Sequence, residues 1–151
     1  MFVIYFSVGA QRFAIDGQAV VAVLPRVELT PLSHVPPEVA GVFNFRGRVV
    51  PVIDLCRLLG DRPCGSTFDA RLLLVKYPAN DEAHHLLGLL AESVTDTGHL
   101  APETIVPSGV AVDEAPYLGN VHPEAEDIVQ TVNIEQLLPD ELQARLFREP
   151  A

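Results

Sequence analysis

Three kinds of residue in this chain have the type and spacing to do chemistry. Asp96-Thr97-Gly98 spells the signature of aspartic proteases, in which two carboxylates share one proton and a homodimer of a chain this size would supply both. That motif usually follows an apolar strand and precedes a small residue, whereas Ser93 and Thr95 precede it here and His99 follows. A dimeric aspartic protease using Asp96 is therefore the distant alternative. His84 and His85 are adjacent, so on a strand they point to opposite faces and suit one metal poorly. Ser7, Ser33, Ser66, Ser93 and Ser108 lack a G-x-S-x-G setting, and no G-x-x-x-x-G-K-[ST] loop is present for a nucleotide. The expectation is a protein that is not an enzyme and holds no metal or cofactor.

The third kind is charge set inside an apolar wall, in "FNFRGRVVPVIDL" from Phe43 to Leu55. The planar fork of Arg46 can bond a carboxylate bidentately or gather the free carbonyls of a helical turn. It is thus a candidate for partner contact as well as for a structural role. Gly47 is read as allowing a positive φ or a close backbone approach, and Arg48 as a solvated hairpin residue. Asp54 precedes "LCRLL" and is read as capping that short helix by accepting backbone N–H bonds, with Asn133 doing the same before "IEQLL".

The formal charge of −10 argues against nucleic acid, which needs clustered Lys and Arg. The charge is unevenly spread. Met1 to Val75 holds seven arginines against six acids, and Lys76 onward holds three basic residues against fourteen acids. "DEAPYLGNVHPEAED" in the acidic half reads as a solvated loop. The apolar runs fall far short of the roughly 18 to 20 residues a membrane span requires, and the N-terminus has no basic leader. The expected setting is the cytoplasm, without direct membrane insertion. In that compartment Cys56 and Cys64, which form no C-x-x-C motif, read as ordinary thiols.

The elements that must position these residues are strands. Short runs rich in Val, Ile and Phe are separated by Pro, Gly and Asp, and helical periodicity is nearly absent, which makes the fold all-β. Strands are expected at Phe2–Val8, Gln11–Ile15, Val20–Pro25, Val39–Phe45, Arg48–Asp54, Arg71–Tyr77, His85–Leu90, Thr95–Leu100, Tyr117–Val121 and Asp127–Asn133. "DLCRLLG" reads as a helical turn with Gly60 at its C-cap. A terminal helix starts at Asp140 and Glu141, ends near Arg145 and Arg148, and buries Leu142, Leu146 and Phe147. "TPLSHVPP", "GDRPCGSTFD" and "APETIVPSGVAVDEAP" read as loops.

The chain also repeats itself. "VVPVIDLCRLL" from Val49 aligns with "IVQTVNIEQLL" from Ile128, "VAGVF" with "YLGNV" through Gly41 and Gly119, and "AIDGQAVVAV" with "GLLAESVTDT", which sets Val20 against Val94 and Ala22 against Asp96. Three matched segments in one order imply two copies of a β unit of about five strands. Units this small bury little surface alone and should pack into one interdependent body, with a groove between them for a partner.

"GVFNFRGRVVPVIDL", preceded by "FAIDGQAVVAVL" and followed by "LLGLLAESVTD" and "YLGNV", resembles the CheW-like coupling domain, whose pattern is close to G-V-x-N-L-R-G-x-V-x-P-V-x-D-L. Asn44, Arg46, Gly47, Pro51 and Asp54 fall at the expected positions, with Gly41 at the head of the motif and Phe45 in place of leucine. The resemblance implies two five-stranded SH3-like barrels in one domain over 1–151. The first barrel would span 15–75, the second 1–14 and 76–138, and a C-terminal helix 139–151. It further implies an adaptor without catalysis that couples a chemoreceptor's helical hairpin tip to a chemotaxis-type histidine kinase. The kinase would be bound through its related regulatory domain, and the receptor in the inter-barrel groove around Val20, Asn44 and Arg46, with Ala22 and Arg48 alongside. Many members carry glutamate where Ala22 stands, so the chain reads as a specialised relative with a dedicated receptor. The alternative is a CheW-like scaffold for surface motility or second-messenger control.

Overall fold

A computed structural model describes residues 1–60, 70–78, 84–94, 96–100, 117–124 and 127–147. Among these residues, ten strands run in the order β1 (Phe2–Val8), β2 (Gln11–Asp16), β3 (Val20–Pro25), β4 (Val39–Phe45), β5 (Arg48–Asp54), β6 (Arg71–Pro78), β7 (His84–Ala91), β8 (Thr97–His99), β9 (Leu118–Glu124) and β10 (Asp127–Val132). Two helices join them, α1 (Leu55–Gly60) after β5 and α2 (Asp140–Leu146) at the end, and single 3-10 turns form at Gly17–Ala19 and Ile134–Gln136. The strands lie where alternating and β-branched runs predict them, and β9 runs through the acidic stretch read above as loop. The loops expected at 61–69 and 101–116 lie outside the described residues.

The strands form two five-stranded sheets, ordered β8-β1-β2-β10-β9 and β3-β6-β7-β5-β4. β7 thus joins the sheet of β3 to β6, and not the second unit, to which the expected bounds of 76–138 assign it. β7 pairs antiparallel with β6 along its whole length and parallel with β5 through Val52↔Gly88. In the second sheet the chain running on from β3 returns to the far edge, where Thr30 and Val42 exchange both backbone bonds at 2.9 Å. That closure accords with the expected SH3-like curl.

The internal repeat has a structural counterpart. "AIDGQAVVAV" carries the chain from β2 in the first sheet to β3 in the second, and "GLLAESVTDT" carries it back from β7 to β8. The parallel pairs Thr131↔Ala14 and Val52↔Gly88 are repeat mates, one in each sheet. The two units share one core. Ile4, Phe6, Val8, Phe13 and Ile15 of the first sheet cluster with Leu73, Val75, Tyr77, Leu87 and Leu89 of the second, all buried. At about 1.5–3 kcal/mol per fully buried large apolar side chain, this shared layer is what neither unit could supply alone. The other face of the first sheet carries a smaller cluster of Val3, Tyr5, Ala14, Leu100 and Val129.

Three local expectations change. Gly60 closes α1 without a left-handed turn, and a Cβ on it would lie 2.6 Å from Val8 Cγ1, so glycine there lets α1 approach β1. Cys56 is fully buried and disulfide-bonded, not the free thiol that the compartment argument favoured; Cys64 lies outside the described residues. In α2, Leu142 is buried and Leu146 and Phe147 are half-buried as expected, but Gln143 is buried too. It donates to the Leu138 carbonyl at 2.9 Å and lies 3.5 Å from the Tyr77 hydroxyl. Arg148 lies outside the described residues.

Candidate functional site: a strained hairpin tip and the seam between the sheets

β4 and β5 pair from Val39↔Ile53 to Phe45↔Arg48, leaving Arg46 and Gly47 as a two-residue turn. Both have positive φ, 52° and 85°, the signature of a type I′ hairpin turn that Asn-Gly would fill most readily. An arginine at the first position costs roughly 1–2 kcal/mol of left-handed strain. Asn44 offsets part of that cost, because its Oδ1 accepts the Gly47 N–H at 2.8 Å. Asn44 therefore holds the turn and so positions Arg46. The guanidinium carbon of Arg46 lies 5.1 Å from the Phe45 ring centroid, and the Phe45 ring meets Phe43 at 6.4 Å. Arg46, Gly47 and Arg48 are all exposed, and Val49 next to them is 74% exposed.

The rest of the motif builds the hairpin's base. Gly41 has φ 144°, and a Cβ there would stand 2.5 Å from the Thr30 carbonyl oxygen, so the closing bridge requires glycine. Val42 spends its N–H and C=O on Thr30, and the ladder from β5 to β7 begins at Val52. Pro51, opposite Val42, thus sits where no donor is asked of it. Asp54 is buried and caps α1, its Oδ1 accepting the Arg57 N–H at 3.1 Å. Asn133 does not repeat this. It stands at the N-cap of the Ile134–Gln136 turn but makes no side-chain cap bond. Its Oδ1 lies 3.3 Å from the point where a Gly119 Cβ would be.

Val20 and Ala22 sit on β3, half-buried, with Ala22 paired to Leu74. The alternate residues Val21 and Val23 are 49% and 50% exposed, an apolar rim at the sheet's edge. Beside the start of β3 a cavity of about 480 Å³ opens at the seam between the sheets, walled by Ala19, Pro78 and Ile134 and edged by Asp16, Lys76 and Glu135. A second cleft of about 190 Å³ lies at the seam between α1 and β9, lined by Leu58, Leu59 and Tyr117. Burial raises the Tyr117 phenol pKa, and the Glu38 carboxylate adds to the rise. Neither Val20 nor Asn44 nor Arg46 lines the larger cavity, which Ala19 reaches just before β3 begins. The Val20 strand and the arginine turn are thus separate features on one sheet, which Thr30 and Val42 link through the backbone.

The other chemistry-bearing motifs have structural roles. Asp96 is 64% exposed at the foot of β8, 3.6 Å from Arg12, which itself stacks over Tyr5 at 4.4 Å. The carboxylate so placed, open to water, is an ion-pair partner of Arg12. His85 stacks on Phe147 at 4.5 Å and so belongs to the docking of α2. Tyr77, read from sequence only as a strand residue, is the centre of that docking. Its hydroxyl donates to the Glu135 carbonyl at 3.1 Å and accepts the Leu138 N–H at 3.0 Å. Burial is the main cause of its raised pKa, with Glu135 and Asp140 adding to it and the Leu138 bond opposing it. The sequence holds no local sign of this, because the bonds join residues far apart along the chain.

A family model described as the CheW-like domain matches residues 3–142. The chain belongs to the CheW-like family. It is 31% identical over 105 residues to the probable chemotaxis protein CheW of Rhizobium etli, which covers 70% of this chain and 64% of that protein. FrzA of Myxococcus xanthus is 27% identical over 146 residues, covering 95% of this chain and 88% of FrzA. The crystal structure of the scaffolding protein TtCheW from Thermoanaerobacter tengcongensis matches with a TM-score of 0.74 at 22% identity, over 87% of this chain and 82% of that one. That likeness shows the fold. Among the described residues of this CheW-like chain, no helix is long and apolar enough to cross a membrane.

Proposed function

We propose that this CheW-like chain is a cytoplasmic adaptor that couples a chemoreceptor to a chemotaxis-type histidine kinase by binding both at once, with no catalysis of its own. The observation that carries the reading is Arg46. A hairpin that asparagine would close at lower cost keeps a strained arginine at its exposed tip, stacked on Phe45. Such strain persists where a side chain is retained for contact. The apolar rim of β3, with the adjoining seam cavity, supports docking of an amphipathic helical hairpin. Exposed apolar strand surface elsewhere would receive the kinase's regulatory domain. Holding both partners on one body raises their effective concentration for each other.

The test is a pull-down and titration calorimetry of the folded chain with the regulatory domain of the cognate kinase, then with a receptor hairpin-tip fragment. Binding of both together supports the reading, and a folded chain that binds neither sinks it. A second reading, a CheW-like scaffold for another output, draws support from the match to FrzA along nearly the whole chain and from Ala22 in the family's acidic slot. It predicts that Ala22→Glu improves binding to a general chemoreceptor tip. An unchanged affinity would remove the argument from Ala22.

A further inference from the structure

The outer edges of the two sheets are β8, β9, β3 and β4. Three of them are guarded against pairing with a further strand. β8 is only three residues long, β9 contains a proline and ends on an acid, and β4 is bound by Thr30 at Val42. β3 differs. Its sequence "VVAVLP" carries no charge, and its alternate residues Val21 and Val23 are 49% and 50% exposed. Among the described residues it pairs with β6 alone.

The proline at the end of β3 shows which backbone groups that edge leaves open. Pro25 stands opposite Arg71 yet has no N–H to exchange, so this pair is of the kind that makes no bonds of its own. The two kinds alternate along an antiparallel ladder, so Leu24 bonds to Leu72 and Ala22 to Leu74, while Val23 faces Leu73 without bonding to it. The N–H and C=O of Val23 therefore point away from β6, to the open side. The register slips between Val20 and Ala22, which leaves residues 22–24 as the regular part of the strand, with Val23 at its centre.

A second copy of the same strand fits this edge. Antiparallel pairing about a two-fold axis at Val23 lets the two Val23 residues exchange both backbone bonds. It sets Ala22 against Leu24 and the bulged Val21 against Pro25, so the proline falls where the opposing strand is itself irregular. The side chains that meet across the axis are β-branched valines, a favourable cross-strand pair. The antiparallel order also brings the end of β3 that Arg26 follows alongside the end of the other copy that Asp16 and its turn precede, so the flanking charges are opposite in sign.

We infer that two copies of this chain pair edge to edge through β3, in a dimer with its two-fold axis at Val23. The contact uses one patch on both copies and so closes at two. Such a dimer withholds the β3 rim from a docking helix; that consequence rests on the adaptor reading, and the pairing itself does not. Sedimentation velocity and amide hydrogen exchange of the purified chain test it. The wild type should pass from monomer to dimer with concentration and form nothing larger. The Val23 amide should exchange about tenfold more slowly once about nine-tenths of the chain is dimeric, whereas the Leu24 amide, bonded to β6, should be protected in the monomer already. Val23→Lys and Val23→Glu change a half-exposed side chain, so both variants should keep the wild-type circular dichroism spectrum. Each alone sets like charges against each other at the axis and should dimerise at least about tenfold more weakly. Mixed in equal amounts they should recover a dimer, because opposite charges then meet. A wild type that stays monomeric up to about 1 mM, the weak end of specific association, overturns the inference. So does a wild-type dimer that leaves the Val23 amide unprotected, a single variant that dimerises as the wild type does, or a mixture of the folded variants that stays monomeric.

Discussion

Replacing Arg46 with asparagine separates the two roles that an arginine in this hairpin can have. At φ 52° the residue is in the left-handed region, where a side chain other than Gly, Asn or Asp costs roughly 1–2 kcal/mol. Asparagine tolerates that region and completes the Asn-Gly pair that type I′ turns favour, so most of the strain is released. The loss on the other side is the stacking of the guanidinium on Phe45 at 5.1 Å, about 0.5–1 kcal/mol at an exposed site. The balance is a gain of about 0.5–1 kcal/mol. For a chain of this length that corresponds to a rise of about 1–4 °C in Tm. Urea unfolding and a thermal scan measure the first part, and calorimetry with the kinase domain and receptor fragment measures the second. Arg46→Asn should be more stable than the wild type and bind at least one partner about tenfold more weakly, the cost of losing a charged contact. A variant destabilised by 1 kcal/mol or more would show that Arg46 supports the fold, and a stabilised variant with unchanged binding would refute its role in contact.

Asp54→Ala should cost about 1–2 kcal/mol in urea unfolding, because it frees the Arg57 N–H at the start of α1. Asn133→Ala at the matched position should cost under about 0.5 kcal/mol, since its side chain makes no cap bond. Tyr77 gives a pH signature. Its folded pKa is raised, so its contribution is full below the ordinary tyrosine pKa of about 10 and is lost as pH rises through the folded value. Stability should therefore fall on the alkaline side of about pH 10 in the wild type and fall less in Tyr77→Phe. At neutral pH that variant should lose about 1–3 kcal/mol from the backbone groups left unpaired around Glu135 and Leu138.

Much of this molecule was legible in its residues. Alternation and turn chemistry placed β1, β3, β4 and β5 at their observed bounds, since both signals are local. Asp54 was legible as a cap because capping needs only the residues that follow it. The repeat aligned the two segments that cross between the sheets, but the crossing back was expected at residue 76 and follows β7 instead, and the motif around Arg46 pointed to the family. Pairing across the chain was another matter. A strand reads the same from its own residues whichever sheet takes it, so β7's place between β6 and β5 was decided by partners that register with it. Gly60 looked like a cap until the nearness of Val8 showed that it makes room, and Asn133 looked like a second cap until its oxygen was seen facing β9. The contacts of Tyr77 with Glu135, Leu138 and Gln143 likewise depend on which segments meet. For Arg46 the division is sharpest. Its identity and its glycine neighbour were plain in the sequence, but only the folded hairpin, by forcing φ to 52° under the hold of Asn44, shows that the chain bears a cost to keep an arginine there.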